Sequence, residues 1–348
     1  MILWVSRVPH TVQGVTPMQT GPTATSPNVE RLIEAVEELH SSPAAACRVV
    51  RLLRDPDFDI VQVEKILESD PALAAAVLRL VNSACFGLAN RIASLRQAIA
   101  YLGARTLRLT VLSFGLVGRL ARGAPARVCR DFWRRSLTMA SAASLVCRRG
   151  GSRAVRPDEA YSAGLLADVG VLVLAQVETA RYVPLYEQHS HGIELTAAEH
   201  ERFDIGHPAL GQHLLGRWNL PEAVTRAAAT HHAPPSACDD LSRFVVAGDM
   251  LADALWTPQT PRMSEIQEFL QTHFQIDLDA LIALAMDCKQ EIQQYAEVFR
   301  VHLEGSIDCD AIRRDVALIL QEAGLLPWKT VRQNAELALR IQGRKEDV

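Results

Sequence analysis

Apolar positions recur at three- and four-residue steps through 130–149, 157–178, 237–256, 263–274 and 277–303. That spacing lines one face of an α-helix. Convincing period-two alternation is absent, and no repeat of 20 to 50 residues is found. Between the periodic stretches lie helix start and stop signals. Ser42-Pro43 and Asp70-Pro71 each place a capping side chain before a proline at the first helical position. Ser94 with Gln97, and Thr196 with Glu199, have capping-box spacing. Gly103 predicts a helix stop, and Pro221 predicts a start. The pattern predicts an all-α protein with short connections and antiparallel neighbours. Gly150-Gly151-Ser152 is a candidate seam between two helical lobes. Thr257 to Pro261 is a boundary before a C-terminal helical extension, 262–348. Residues 1–27, rich in Thr, Pro, Gly and Gln without apolar periodicity, predict a disordered leader.

Composition narrows this further. A chain of 348 residues, 49% hydrophobic and only 5% aromatic, has ample material for an Ala/Leu-rich helical core. The seven cysteines form no CxxC pair and predict free thiols in a reducing, cytoplasmic setting rather than disulfides or a zinc site. MILWVSRVPH has too short an apolar stretch for a signal peptide, and no run is expected to span a bilayer.

Charge changes the picture more. The net charge of −4 conceals a segment, Arg91 to Arg156, with fourteen arginines, no lysine and one acid, Asp131. Two readings follow. The acidic flanks fold over these arginines, or the arginines form a face for an anion: a nucleotide, a nucleic-acid backbone or an acidic protein. The first is the commoner outcome in helical bundles. For the second, Arg148, Arg149 and Arg153, in a loop-like stretch, are the best candidates, with Arg135 further along the same segment.

The chemistry centres on GLLADVGVLVLAQ, where Asp168 stands alone in an apolar run. A buried carboxylate is costly without a partner. Gly164 and Gly170 form no phosphate cradle and predict close helix packing instead. His207-Pro208 reads as a helix start with a capping role. His231-His232 precede Ala-Pro-Pro and read as a helix C-terminus, where imidazoles meet the dipole favourably; metal ligation is the alternative. Asn82 and Ser83 are explained by capping or local hydrogen bonding. Cys85 and Cys147 read as core residues. No P-loop, H-E-x-x-H or G-x-S-x-G is present.

ESDPALAAAVLRLVNSACFGLANRIASLRQAIAYLGARTLR resembles the first half of an HDOD domain, the HD-related output domain of bacterial signalling proteins. Its marks are Asp70-Pro71, Asn82-Ser83-Ala84, Gly87, Ile92, Ser94, Ala98-Ile99 and Leu102-Gly103. FWRRSLTMASAASLV, AYSAGLLADVGVLVLAQ and HPALGQHLLGRWNLPEAVTRAAATHHAP resemble the second half, in order. The resemblance implies a bundle of two packed lobes, about 28–125 and an HD-like lobe of about 126–256, followed by the extension.

It also implies kinship with HD and HD-GYP phosphohydrolases, whose histidines and aspartates hold divalent metal. By that resemblance Arg135 stands where the first histidine would be, and Ala167 where the histidine of the His-Asp pair would be. Asp168 matches the paired Asp, Asp249 the last Asp, and His231 and His232 further ligands. Arg cannot deprotonate to ligate a metal. The expectation is therefore an Arg135–Asp168 ion pair in a vestigial pocket, with no metal, no cofactor and no catalytic residue. The expected function is a non-enzymatic signal-transduction module. It binds a protein partner, such as a cyclic-di-GMP-metabolising enzyme or a response regulator, or an anionic nucleotide, and relays the signal through its C-terminal helices. No membrane partner is expected. A residual nucleotide phosphohydrolase is the runner-up. A nucleic-acid-binding regulator comes third, since no helix-turn-helix pattern supports it.

Overall fold

The computed structural model describes residues 27–322 apart from 40–42, 56, 83–85, 87, 89–90, 190, 257–262, 300 and 302. Helices are the regular structure among the described residues, with no strand. The first group is α1 (Pro27–Leu39), α2 (Ala44–Leu52), α3 (Ile60–Glu68), α4 (Pro71–Val81) and α5 (Leu95–Thr110). A π-helical stretch, Val111–Val117, joins α5 to α6 (Gly118–Gly123). The second group is α7 (Ala126–Arg149), α8 (Pro157–Leu166), α9 (Val169–Val177), α10 (Thr179–His189), α11 (Gly192–Phe203), α12 (His207–Arg217), α13 (Glu222–Thr230) and α14 (Asp240–Trp256). The extension contributes α15 (Met263–Phe274), α16 (Leu278–Phe299) and α17 (Cys309–Glu322). The expected leader and the stretch beyond 322 lie outside the described residues.

Local signals explain most helix ends. Asp70 caps α4 by accepting from the Leu73 N–H at 3.1 Å and is held by Arg119. Asn82 clamps the loop after α4: its amide donates to the Leu78 and Ile92 carbonyls and accepts from the Ile92 N–H at 2.8 Å. Ser83 and Cys85 lie outside the described residues. Gly103, at φ 69°, breaks α5, but the chain resumes helical geometry at once, so the expected stop is a kink. Thr196 and Glu199 do not form the expected capping box. Both lie inside α11, where Thr196 bonds back to the Gly192 carbonyl and Glu199 is fully buried. Nor is Gly150-Gly151-Ser152 a seam between lobes, because α7 and α8 on either side pack tightly against each other.

The scaffold of the site is α7, buried along most of its length beneath α8, α14 and α16. Close approach explains Gly164, where an added Cβ would press on the Ala140 backbone of α7. The stretch 157–177 is long and apolar enough to cross a membrane by length and composition, which the sequence reading did not expect. In the fold it divides at Ala167-Asp168 and is mostly buried against other helices. Cys147 is buried, with its thiol donating to the Val155 carbonyl at 3.3 Å. Helix α1 docks on the second group, where Asn28 donates to the Phe203 carbonyl at 2.6 Å and Arg31 pairs with Glu178 at 2.7 Å.

Candidate functional site

Five helices deliver one buried polar cluster. Asp168 sits at the break between α8 and α9, in the N-cap position of α9, but its carboxylate caps no backbone N–H. It faces Arg135 of α7 instead. The guanidinium donates from Nε to Asp168 at 3.1 Å, from Nη1 to Asp253 at 2.5 Å, and from Nη2 to Asp249. The expected Arg135–Asp168 pair is formed, and two further carboxylates share the cation. Sequence reading missed Asp253. Its signal was the spacing in DMLAD, which puts Asp249 and Asp253 one helical turn apart on one face of α14.

Three histidines complete the cluster. His207 opens α12, as expected, but it does not serve as a cap. Its Nδ1 and its backbone N–H both donate to Glu199, at 2.7 and 2.6 Å, and Tyr182 donates to the other Glu199 oxygen at 2.6 Å. Here lies the role of Glu199. His231 Nδ1 lies 2.7 Å from the Ala228 carbonyl, and its Nε2 lies 3.0 Å from Asp168. His232 Nδ1 lies 2.8 Å from Asp249. The pair does end a helix, yet both rings turn inward onto acidic groups, which the helix-end reading did not include.

Each Nδ1 faces an acceptor, and the three Nε2 atoms converge near Asp168; the His231 Nε2 faces an acceptor too, the Asp168 carboxylate. His207 Nε2 is 3.2 Å from His232 Nε2 and 3.6 Å from Asp168. Burial opposes charge on His207, but Glu199 outweighs it and raises the pKa. Burial lowers that of His232 to about 4 against the pull of Asp249. Burial would also raise Asp168, but its bond to His231 and the Arg135 charge hold its carboxyl well below the usual range. For Arg135, burial is overcome by Asp249, Asp253 and Asp168, and its charge is secured.

This donor set suits a metal chemically. Asp168, His207, His231 and His232 each offer a ligand atom, all within 4.8 Å of one another. Imidazoles whose second nitrogen is bound to a carboxylate or carbonyl are the usual metal-ligating form. Arg135 and Ala167 supply no ligand, and the Arg135 guanidinium occupies the Asp249 side of the cluster. The pocket bounded by Arg135, Asp168, His207 and His232 has a volume of about 10 Å³, room for a single water.

Comparison with known proteins matches these observations to a family. The HDOD domain family profile matches residues 39–234. The chain belongs to the HDOD domain family. Among solved HDOD-like structures, an HDOD domain protein of unknown function from Geobacter sulfurreducens is 24% identical, with a TM-score of 0.61 over 79% of this chain and 97% of that one. A protein from Shewanella amazonensis described as a proposed phosphohydrolase is 22% identical, with a TM-score of 0.59 over 79% of this chain and 98% of that one. At these identities the likeness is one of fold. An uncharacterised protein of Treponema pallidum is 26% identical over 224 residues, 64% of this chain but only 43% of that relative's length. The HDOD match ends within the segment that holds His207, His231 and His232, and Asp249 and Asp253 lie just beyond it.

The arginine-rich segment of this HDOD protein is largely covered by acids. Arg96 pairs with Glu64, Arg108 with Asp158, Arg119 with Asp70 and Arg127 with Glu187. The anion face expected at Arg148, Arg149 and Arg153 is occupied at two of its three residues. Arg148 binds Glu291 and Arg149 binds Asp287 at 2.5 Å, both on α16. Arg153 is exposed.

Proposed function

We propose that this HDOD protein is a non-catalytic signal-transduction module that binds a protein partner and relays the interaction through its C-terminal helices. The observation that carries the reading is the Arg135 guanidinium shared among Asp168, Asp249 and Asp253. It holds by side-chain charge a pocket that the HD phosphohydrolases of the resemblance hold with metal, and a space of about 10 Å³ leaves no room for a phosphate ester. Relay is supported by α7, which carries Arg135 and also packs on α16. Trp256 donates to Thr138 of α7 at 2.8 Å, and Arg148 and Arg149 tie its end to the extension. An anionic nucleotide finds less support, because Arg135, Arg148 and Arg149 are already paired.

One observation favours a second reading, a residual metal-dependent phosphohydrolase: the convergence of Asp168, His207, His231 and His232. A metal held by those four would polarise a bound water or phosphoryl oxygen. Elemental analysis of the purified full chain, with phosphodiesterase assays on cyclic dinucleotides and simple phosphate esters, separates the two. Background activity in metal-supplemented buffer supports the non-catalytic reading. Turnover lost with Asp168→Ala overturns it.

A further inference from the structure

Away from the histidine cluster, a cavity of about 140 Å³ lies where the two groups of helices meet. Its walls are mainly apolar, including Val50, Leu112, Leu166 and Val224. A dry cavity of about 150 Å³ is enough to hold benzene. The polar lining is sparse: Arg54, Arg108, Glu159 and Ser162. Ser162 donates its hydroxyl to the Asp158 carbonyl at 2.8 Å, and Glu159 is bound to Arg156. Arg108 is only 4% exposed, and one of its Nη atoms is paired with Asp158. Its Nε–H is buried with no acceptor. Arg54 lies exposed at the rim, with no carboxylate partner among the described residues. Among the residues that line the cavity, Arg54 and Arg108 set against Glu159 leave one positive charge in excess.

We propose that this cavity binds a small monocarboxylate whose apolar body is a ring or short chain of roughly benzene size. The apolar walls take the body, and the carboxylate meets the unmet Arg108 Nε–H and the charge of Arg54. A single spare charge and a single unmet donor suit one carboxylate better than a phosphate dianion, and the volume excludes a nucleotide. Buried donors without partners are uncommon in native proteins, and a ligand acceptor is one way to satisfy them. Pockets of this make-up, apolar with a few convergent polar groups, are the usual form of small-molecule sites. The site stands apart from Arg135, so it holds or fails independently of the reading given above.

The test is a ligand-observed NMR titration of the full chain with benzoate and hexanoate, against benzyl alcohol and hexanol. The acids are expected to bind saturably and the alcohols at least about tenfold more weakly, the worth of a charge-assisted hydrogen bond. Ala154→Trp, at an exposed loop position on the lining, is expected to abolish acid binding without unfolding the protein. Val224→Phe, which fills the cavity from α13's side, is the second such variant. Equal binding of acids and alcohols, no binding of either, or acid binding unchanged in a folded cavity-filling variant overturns the proposal.

Discussion

Arg135 is 7% exposed and is shared by three carboxylates, of which Asp168 and Asp249 are also met by His231 and His232. Removing one partner of a buried charge cluster costs about 3–5 kcal/mol. Arg135→Met is therefore expected to lower urea-unfolding stability by about that amount. Arg135→Lys should fall between, because an ammonium keeps the charge but cannot fork to three acceptors; equal stability of Met and Lys variants would show that charge is not what Arg135 provides. A second residue-scale prediction concerns His191, which lines the same pocket. Burial, and then the Arg135 charge, lower its pKa to about 3. The unfolded chain takes up this proton near the ordinary value of about 6.5, while the folded state resists it. Stability from this group is therefore lost as pH falls from about 6.5 toward 3. His191→Asn is expected to show a shallower loss between pH 7 and pH 5 than the parent, in matched urea titrations. An unchanged slope would place the acid sensitivity elsewhere.

At the scale of elements, the site depends on how closely α9 and α12 approach. Gly170, in the first turn of α9, faces the His207 backbone, and an added Cβ would collide with the His207 carbonyl oxygen. Neither backbone can yield without moving the helix that carries His207. Gly170→Ala is expected to destabilise by about 1–3 kcal/mol, the usual cost of overpacking, and to displace the His207 ring in NMR spectra. A variant matching the parent in stability would mean that the α9–α12 contact is loose. Gly248 has the same relation to α7, where a Cβ would press on the Met139 carbonyl. The sequence marked Gly164 and Gly170 as packing positions, but it could not say which backbone each one meets.

For the whole molecule, the question is whether the helices still stand as a metal enzyme would place them. The double change Arg135→His and Ala167→His would set two imidazoles beside Asp168 and Asp249. Such a donor set suits zinc, iron or manganese. A metal bound only by the folded state stabilises by about 2.7 kcal/mol at a hundredfold excess over the dissociation constant. A thermal-shift titration is expected to show a metal-dependent rise in the double variant that the parent lacks and that Asp249→Ala removes. A rise of equal size in the parent would instead report loading of Asp168, His207, His231 and His232.

By itself, the sequence determined the all-α class and the placement of most helices, which follow from short-range causes such as apolar periodicity and Asp70 before Pro71. The Arg135–Asp168 pairing is expected from the family resemblance, together with the cost of burying a carboxylate alone. The sequence did not determine where the long stretch 157–178 would break, nor that Gly103 would kink a helix rather than end it. Tertiary structure alone decided the rest of the site. Glu199, given a capping role by local spacing, is buried against His207 because α11 and α12 fold back on each other. His207, His231 and His232 read separately as helix-end residues, and converge only because the start of α12 and the end of α13 both meet α9's N-terminal break. Arg148 and Arg149 are the best candidates for an anion face beside the commoner reading of acid-covered arginines, and α16 decides for the latter by bringing Glu291 and Asp287 to them. Contacts between residues on different helices, from 8 positions apart for Glu199 and His207 to 143 for Arg148 and Glu291, leave no local pattern, since each partner satisfies only its own helix until the helices pack.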